Sequence, residues 1–227
     1  MTRALKISCS AGIAFLLSFG LAAVAQQSNS ARIRFIFEDP QLQPASYVID
    51  INEDGTGHFQ SKPGSASSDD PEGITPQPVD VSITIDEPLR SALFKTARSH
   101  NYFNVACAST KSRVAFTGKK ALQYVGPDGN GSCTFNWSRD AQVMKIAEDL
   151  IAVAFTIEEG RRLGLEHEHN RLSLDSELQN LADAAKEGRA QQIQNIAPQL
   201  QAIIADQNVM ERARSRARLL LAASGKS

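Results

Sequence analysis

The sequence predicts an α+β fold: an antiparallel sheet of about six or seven short strands with a packed helix, followed by a C-terminal helical region. Three observations carry this expectation. Apolar residues recur with period two between Ala31 and Trp137. After Trp137 they recur at spacings of three and four. The order of signals is strands, helix, strands and then helices, without the strict alternation of a parallel α/β sheet.

The first segment is an address rather than part of the fold. Met1–Lys6 carries Arg3 and Lys6 and no acid, and an apolar run, AGIAFLLSFG then LAAVA, closes at Ala23-Val24-Ala25. A basic start, an apolar centre of this length and a small-x-small end form a secretory signal peptide, with cleavage expected after Ala25. The apolar run falls short of the roughly 20 residues that span a bilayer, so no transmembrane segment is expected in the mature chain. Cys9 lies too early to be a lipidated cysteine at the cleavage point.

The chain has 227 residues, 24 Lys+Arg against 25 Asp+Glu, 42% hydrophobic residues and three cysteines. Removing residues 1–25 leaves 202, takes Arg3 and Lys6 with it, and shifts the net charge to −3. That balance argues against a nucleic-acid partner, which needs clustered Lys and Arg. Of the cysteines, Cys107 and Cys133 stay in the mature chain and are expected to pair in an oxidising compartment. Closing the 26-position loop between them stabilises by roughly 3–4 kcal/mol in the chain-entropy model.

Residues 26–137 form the strand-rich region. Ile33, Phe35 and Phe37 alternate with Arg32, Arg34 and Ile36, and Tyr47, Ile49 and Ile51 alternate with Val48, Asp50 and Asn52. Asp54-Gly55 is a hairpin turn before Gly57-His58-Phe59. Ser61–Pro78, rich in Ser, Pro, Gly and Asp, reads as a mobile surface loop. Val79, Val81, Ile83 and Ile85 resume the alternation. Asp86-Glu87-Pro88 starts a short helix, with Asp86 as cap and Leu89, Leu93 and Ala97 as its buried stripe to Ser99. Three strands follow, Arg113–Thr117, Ala121–Val125 and Ser132–Trp137. The last two are joined through the turn-rich link Gly126–Gly131, and Cys133 and Phe135 face inward with Trp137.

Residues 138–227 form the helical region, a long helix packed on the sheet and then a small helical tail. Ser138 caps the long helix, whose Val143, Ile146, Leu150, Val153 and Ile157 mark its stripe, and Gly160 stops it. Ser173 or Asp175 caps the next helix, through Leu178, Leu181 and Ala185 to Gly188. Pro198 starts a short helix with Leu200, Ile203 and Ile204. Asp206 caps the last, from Gln207 to about Ala222. Any boundary between two domains falls around Arg161–Asn170.

Four patterns could carry chemistry. Asp50-x-Asn52-x-Asp54-Gly55 matches the opening of a calcium loop, but its twelfth position is Ser61 and its flanks read as strands, so turn chemistry accounts for it. His167 and His169 in Glu166-His-Glu-His169 are the metal-ligand candidates. On an extended segment both rings share one side, whereas in a helix they diverge. Arg212, Arg214, Arg216 and Arg218, spaced by two, spread around a helix as solvated charges with ion pairs such as Glu211–Arg214; an anionic partner is the sharper alternative. Asn130-Gly-Ser132 and Asn136-Trp-Ser138 are glycosylation sequons, the second expected silent on a core strand. His58 and His100 lie in separate segments and read as surface or satisfied core residues. No G-x-S-x-G, S-x-x-K, H-E-x-x-H or G-x-G-x-x-G occurs, so no catalytic residue and no cofactor is assigned.

Tyr47–Phe59 (YVIDINEDGTGHF), with the strand, helix and hairpin that follow, resembles secreted bacterial domains of unknown function. The tail, with Gly188-Arg189-Ala190 and Ile196-Ala197-Pro198, is similar to other such exported proteins. The resemblance implies a periplasmic or extracellular α+β domain and supplies no catalytic residues. The function expected is therefore an exported non-catalytic binding or structural protein, with another envelope or secreted protein as the partner class that compartment suggests. The second reading is a small exported enzyme, metal-dependent around His167 and His169. N-terminal sequencing of exported material is expected to begin at Gln26; a mature chain starting near Met1 overturns the address.

Overall fold

The computed structural model describes residues 30–64, 77–109 and 114–224. The signal-like segment Met1–Ala25, most of the expected Ser61–Pro78 loop, Arg113 and the last three residues lie outside them. The architecture is α+β: a six-stranded antiparallel sheet with helices on one face, then a C-terminal helical region.

The sheet follows from period-two alternation. Strands β1 (Arg32–Glu38), β2 (Ser46–Asn52), β3 (Thr56–Lys62) and β4 (Asp80–Thr84) form a meander on one side. Strands β5 (Lys119–Gly126) and β6 (Gly129–Phe135) add to the free side of β1, giving the order β4-β3-β2-β1-β5-β6. The register pairs Ile33 with Ile51 and Phe35 with Ile49, so the inward residues of adjacent strands form apolar rows. Ile33, Phe35, Ile49, Ile51, Phe59, Leu122 and Tyr124 are all fully buried. Each such side chain contributes about 1.5–3 kcal/mol of burial. On the opposite face Arg34 pairs with Asp50 at 2.8 Å, Lys119 with Glu38 at 2.9 Å and His58 with Asp80 at 2.7 Å.

Two helices cover the inner face: α1 (Leu89–Ser99) and the first two-thirds of α2 (Ala141–His169). Val143, Ile146, Leu150, Val153 and Ile157 of α2 join the sheet core. From Phe155 onward α2 also enters a second core, where Phe155 and Leu163 meet α3 (Leu174–Lys186), α4 (Ala197–Ala205) and α5 (Glu211–Ser224). Arg161–Asn170 is therefore the last part of α2 and its cap, so the chain crosses between the two cores as continuous helix.

Several local expectations are corrected by tertiary context. Arg113–Thr117 does not form a strand: among the described residues Val114–Thr117 is irregular, and the Asn136 side chain serves its backbone, accepting from Thr117 N at 2.7 Å and donating to Ala115 O at 2.9 Å. Ser61 and Lys62 are strand, and buried Ser61 donates its hydroxyl to Glu158 at 2.7 Å. Asp140, not Ser138, caps α2, accepting from Gln142 N and Val143 N at 2.9 and 3.1 Å. An ionised carboxylate at the positive helix end is the stronger acceptor. Glu87, not Asp86, serves the start of α1, accepting from Ser91 N at 3.2 Å. Helix α5 starts at Glu211, because Asp206 instead closes the preceding turn by accepting from Asn208 N at 2.8 Å. Trp137 lies beyond the end of β6 and is half-buried.

Gly160 does not stop α2. It sits inside the helix, where a Cβ would overlap the side chain of Ile196. The glycine is there for close approach to the 3-10 turn Ile193–Ile196, not for its freedom of φ. Gly164, one turn later, faces open space, with no neighbouring atom within 4 Å of the place a Cβ would take. Gly160→Ala is accordingly expected to destabilise by about 1–3 kcal/mol through overpacking, despite its gain in helix propensity. Gly164→Ala should stabilise by up to about 1 kcal/mol. Urea denaturation of both variants checks the pair; equal effects would contradict the close packing.

Candidate functional site

Cys107 and Cys133 form a disulfide, with Cα atoms 5.8 Å apart. Cys133 points inward from β6 as its alternation requires, and both cysteines are buried. The bridge ties β6 to the segment after α1, where Asn101, Tyr102 and Phe103 all have positive φ. Tyr102 lies over Gly129 and Gly131, whose missing side chains leave room for it.

The calcium-like oxygens are already committed. Asp50 takes both forks of Arg34 at 2.8 Å, and Asn52 donates to Thr56 at 3.0 Å. Asp54 accepts the amide and hydroxyl of Thr56 at 2.9 and 2.7 Å, the pattern of an Asx turn. His167 and His169 lie in the last turn of α2, so their rings point apart. His167 Nε2 is 3.0 Å from Asp206, and exposed His169 is 3.8 Å from Glu168. Among the described residues no three His, Cys, Asp or Glu side chains are grouped to hold a metal ion. His58 pairs with Asp80, and His100 lies 2.9 Å from Asp140 at the start of α2.

Each arginine of the C-terminal series has a carboxylate. Arg212 and Arg216 converge on Asp175, while Arg214 and Arg218 take Glu211 at 2.6 and 2.7 Å. Asn136 is consumed by the backbone contacts described above, whereas Asn130 is exposed. Among the described residues no helix is long and apolar enough to cross a membrane.

The sequence reading missed the groove that forms where the two cores meet. It holds about 550 Å³, within the usual range for small-molecule sites. One wall is the start of α1, with Asp86, Glu87, Leu89 and Ala92. Lys145 and Asp149 come from α2, Gln191–Gln194 from the link after α3, and Leu220, Ala223 and Ser224 from the end of α5. Leu89, Ile193 and Leu220, each largely buried, give it an apolar floor. The polar groups are held in place: Gln191 Nε2 donates to Asp149 at 2.6 Å, and Gln192 Oε1 accepts from Asp86 N at 2.7 Å and from Gln194 Nε2 at 2.6 Å. Gln192 has a left-handed backbone, with φ 58°. Such a conformation in a non-glycine residue costs about 1–3 kcal/mol, which the surrounding contacts must offset. Asp149 is 7% exposed and pairs with Lys145 one turn earlier on the same helix. No single segment signals this site, since its residues come from four separate stretches.

Two other buried ionic groups were also unforeseen. Lys120 is 3% exposed and donates to the carbonyls of Thr117, Gly118 and Asn136 at 2.8–3.0 Å. Burial lowers its ammonium below the usual lysine range, yet all three of its donors are used, which marks a structural role. On the far side of α2, Arg162 Nη2 lies 2.5 Å from both Glu159 and Glu177. Burial raises the Glu159 carboxyl above the usual range while Arg162 pulls it down. The raised value means that the fold prefers the neutral acid, so the destabilisation is absent at low pH and grows as pH rises through the unfolded glutamate range. Glu159→Gln is therefore expected to raise the urea midpoint at pH 7.5, with the gap closing toward pH 4; a pH-independent gap contradicts the burial argument.

No protein-family model and no curated protein matches the chain, so the reading of its site rests on the geometry above.

Proposed function

We propose that the protein is an exported, non-catalytic binding protein whose ligand site is the groove between α1, α2 and the end of α5. The observation that carries this reading is the groove's construction: an apolar floor with fixed amides and carboxylates above it, placed where two cores meet. Its groups are arranged for contact rather than for bond making. Among the described lining residues the serine, Ser224, donates its hydroxyl to the Leu221 carbonyl at 2.8 Å, and there is no histidine or cysteine. A nucleophile paired with a base is thus not assembled there. Export is supported by the signal-like residues 1–25 and by the Cys107–Cys133 bridge, which suits an oxidising compartment.

Ala92 is exposed on the rim, so a bulky residue there fills the groove without entering either core. A ligand-observed NMR screen of the mature protein against small amines, acids, alcohols, amino acids and sugars is expected to give binders. Ala92→Trp should weaken them by at least about tenfold while leaving thermal stability unchanged within about 0.5 kcal/mol. Absence of any binder, or binding indifferent to Ala92→Trp, overturns the assignment of the groove.

A further inference from the structure

Within that reading of the groove, we infer that the ligand is a small aliphatic ammonium compound, whose cationic head takes the place that Lys145 now holds on Asp149. Asp149 is almost wholly buried in the wall, yet among the described residues its only cation is the ammonium of Lys145, a side chain 66% exposed. The lysine is an internal stand-in. It shows that this carboxylate accepts an ammonium at the end of an alkyl stem, with Gln191 Nε2 donating to the same oxygen, Oδ1, at 2.6 Å.

The stand-in is weakly held. A lysine placed four residues before its acid is the poorer orientation on a helix, and such pairs contribute only about 0.2–0.5 kcal/mol. A ligand ammonium can displace it at small cost and leave Lys145 in water. The ligand's alkyl chain would then cover Leu89, Ile193 and Leu220, which the lysine stem leaves open to the groove.

Charge selects the same sign. The lining carries Asp86, Glu87 and Asp149 against Lys145. Glu87 is paired with Arg90 at 2.9 Å, and Lys145 with Asp149. That leaves Asp86, exposed on the rim, whose carboxylate makes no ion pair among the described residues. The positive end of α1, which would favour an anion, is already met by Glu87 through Ser91 N. The volume, about 550 Å³, suits a free small molecule rather than a protein surface.

The test is calorimetric titration of the mature, disulfide-bonded protein with hexylammonium, hexanoate and 1-hexanol in parallel. Hexylammonium is expected to bind at least about tenfold tighter than the other two, the margin of one charge-assisted hydrogen bond. Lys145→Ala, which removes the competitor, should tighten it by about two- to fivefold. Lys119→Ala makes the same change in net charge on β5, remote from the groove, and should change nothing. Asp149→Asn should weaken binding by roughly ten- to a hundredfold. The exposed Lys145 variant keeps the test valid should Asp149→Asn fail to fold. Equal binding of amine and alcohol, both blocked by Ala92→Trp, overturns the ammonium inference and leaves the groove assignment standing. A preference for hexanoate, or a Lys119→Ala effect as large as that of Lys145→Ala, also overturns it. Binding of none of the three, together with an empty screen, removes both.

Discussion

Helix α2 must be buried from two sides, because both cores are built on it and among the described residues they share no other element. Its sheet-facing stripe, Val143 to Ile157, completes the core over Ile33, Phe35 and Ile49. Its later turns, with Phe155 and Leu163, complete the core formed by α3, α4 and α5. A helix so enclosed has little surface to spare for polar groups, and each buried one needs a partner. Thr156 donates to the carbonyl of Ala152 at 3.1 Å, Glu159 meets Arg162, and Asp149 meets Lys145 and Gln191. Asp149 is the one of these whose partners come from a groove wall.

The groove is therefore a consequence of how the cores are joined. Side chains between Gln191 and Asn195 tie the helical region to the sheet. Asn195 acts as a substitute strand for edge strand β4, accepting from Thr84 N at 2.7 Å and donating to Thr84 O at 2.9 Å. Gln192 reaches the amide of Asp86, and Ser61 at the end of β3 donates to Glu158 of α2. The Asn195 bonds satisfy the exposed edge of β4, a common site of unwanted pairing, and the Gln192 bond holds the link after α3 against the start of α1. A cavity whose walls are fixed before binding loses little conformational entropy when occupied. The left-handed backbone at Gln192 belongs to the same arrangement, since it turns the side chain toward α1 while Ile193 enters the core.

Much of the fold was legible where one local rule decided the outcome. Alternation placed Ile33, Phe35, Phe37, Tyr47, Ile49 and Ile51 inward, and the turn residues placed the β2–β3 and β5–β6 hairpins. The side-chain direction of Cys133 followed from the same period. The misses are positions where two local rules competed or a distant residue intervened. Ser138 and Asp140 are both good caps, and only the chain path after β6 chooses between them. Gly160 looks like a stop until Ile196, thirty-six positions away in sequence, is seen to occupy the space of its missing side chain. Val114–Thr117 has strand-like composition but pairs with no strand among the described residues. The groove was illegible for a stronger reason. Lys145, Asp86 and Gln191 are ordinary surface residue types, and only the packing of α1 and of the link after α3 against α2 makes them neighbours.

The β6 edge shows how a strained element can be held by the rest of the fold. Asn101, Tyr102 and Phe103 adopt φ of 49°, 58° and 66°, and left-handed backbone at non-glycine residues costs about 1–3 kcal/mol each. Three gains oppose that cost. Phe103 is fully buried, worth about 1.5–3 kcal/mol. Tyr102 packs beside Tyr124 with ring centroids 5.1 Å apart, its ring in the space that Gly129 leaves open and its carbonyl close over Gly131. The Cys107–Cys133 bridge closes a 26-residue separation, worth roughly 3–4 kcal/mol through the unfolded chain. The strain and these gains are of the same order, so the turn has no large surplus without the bridge. The part of the structure that covers the β6 edge thus draws on the Cys107–Cys133 bridge to offset its backbone strain.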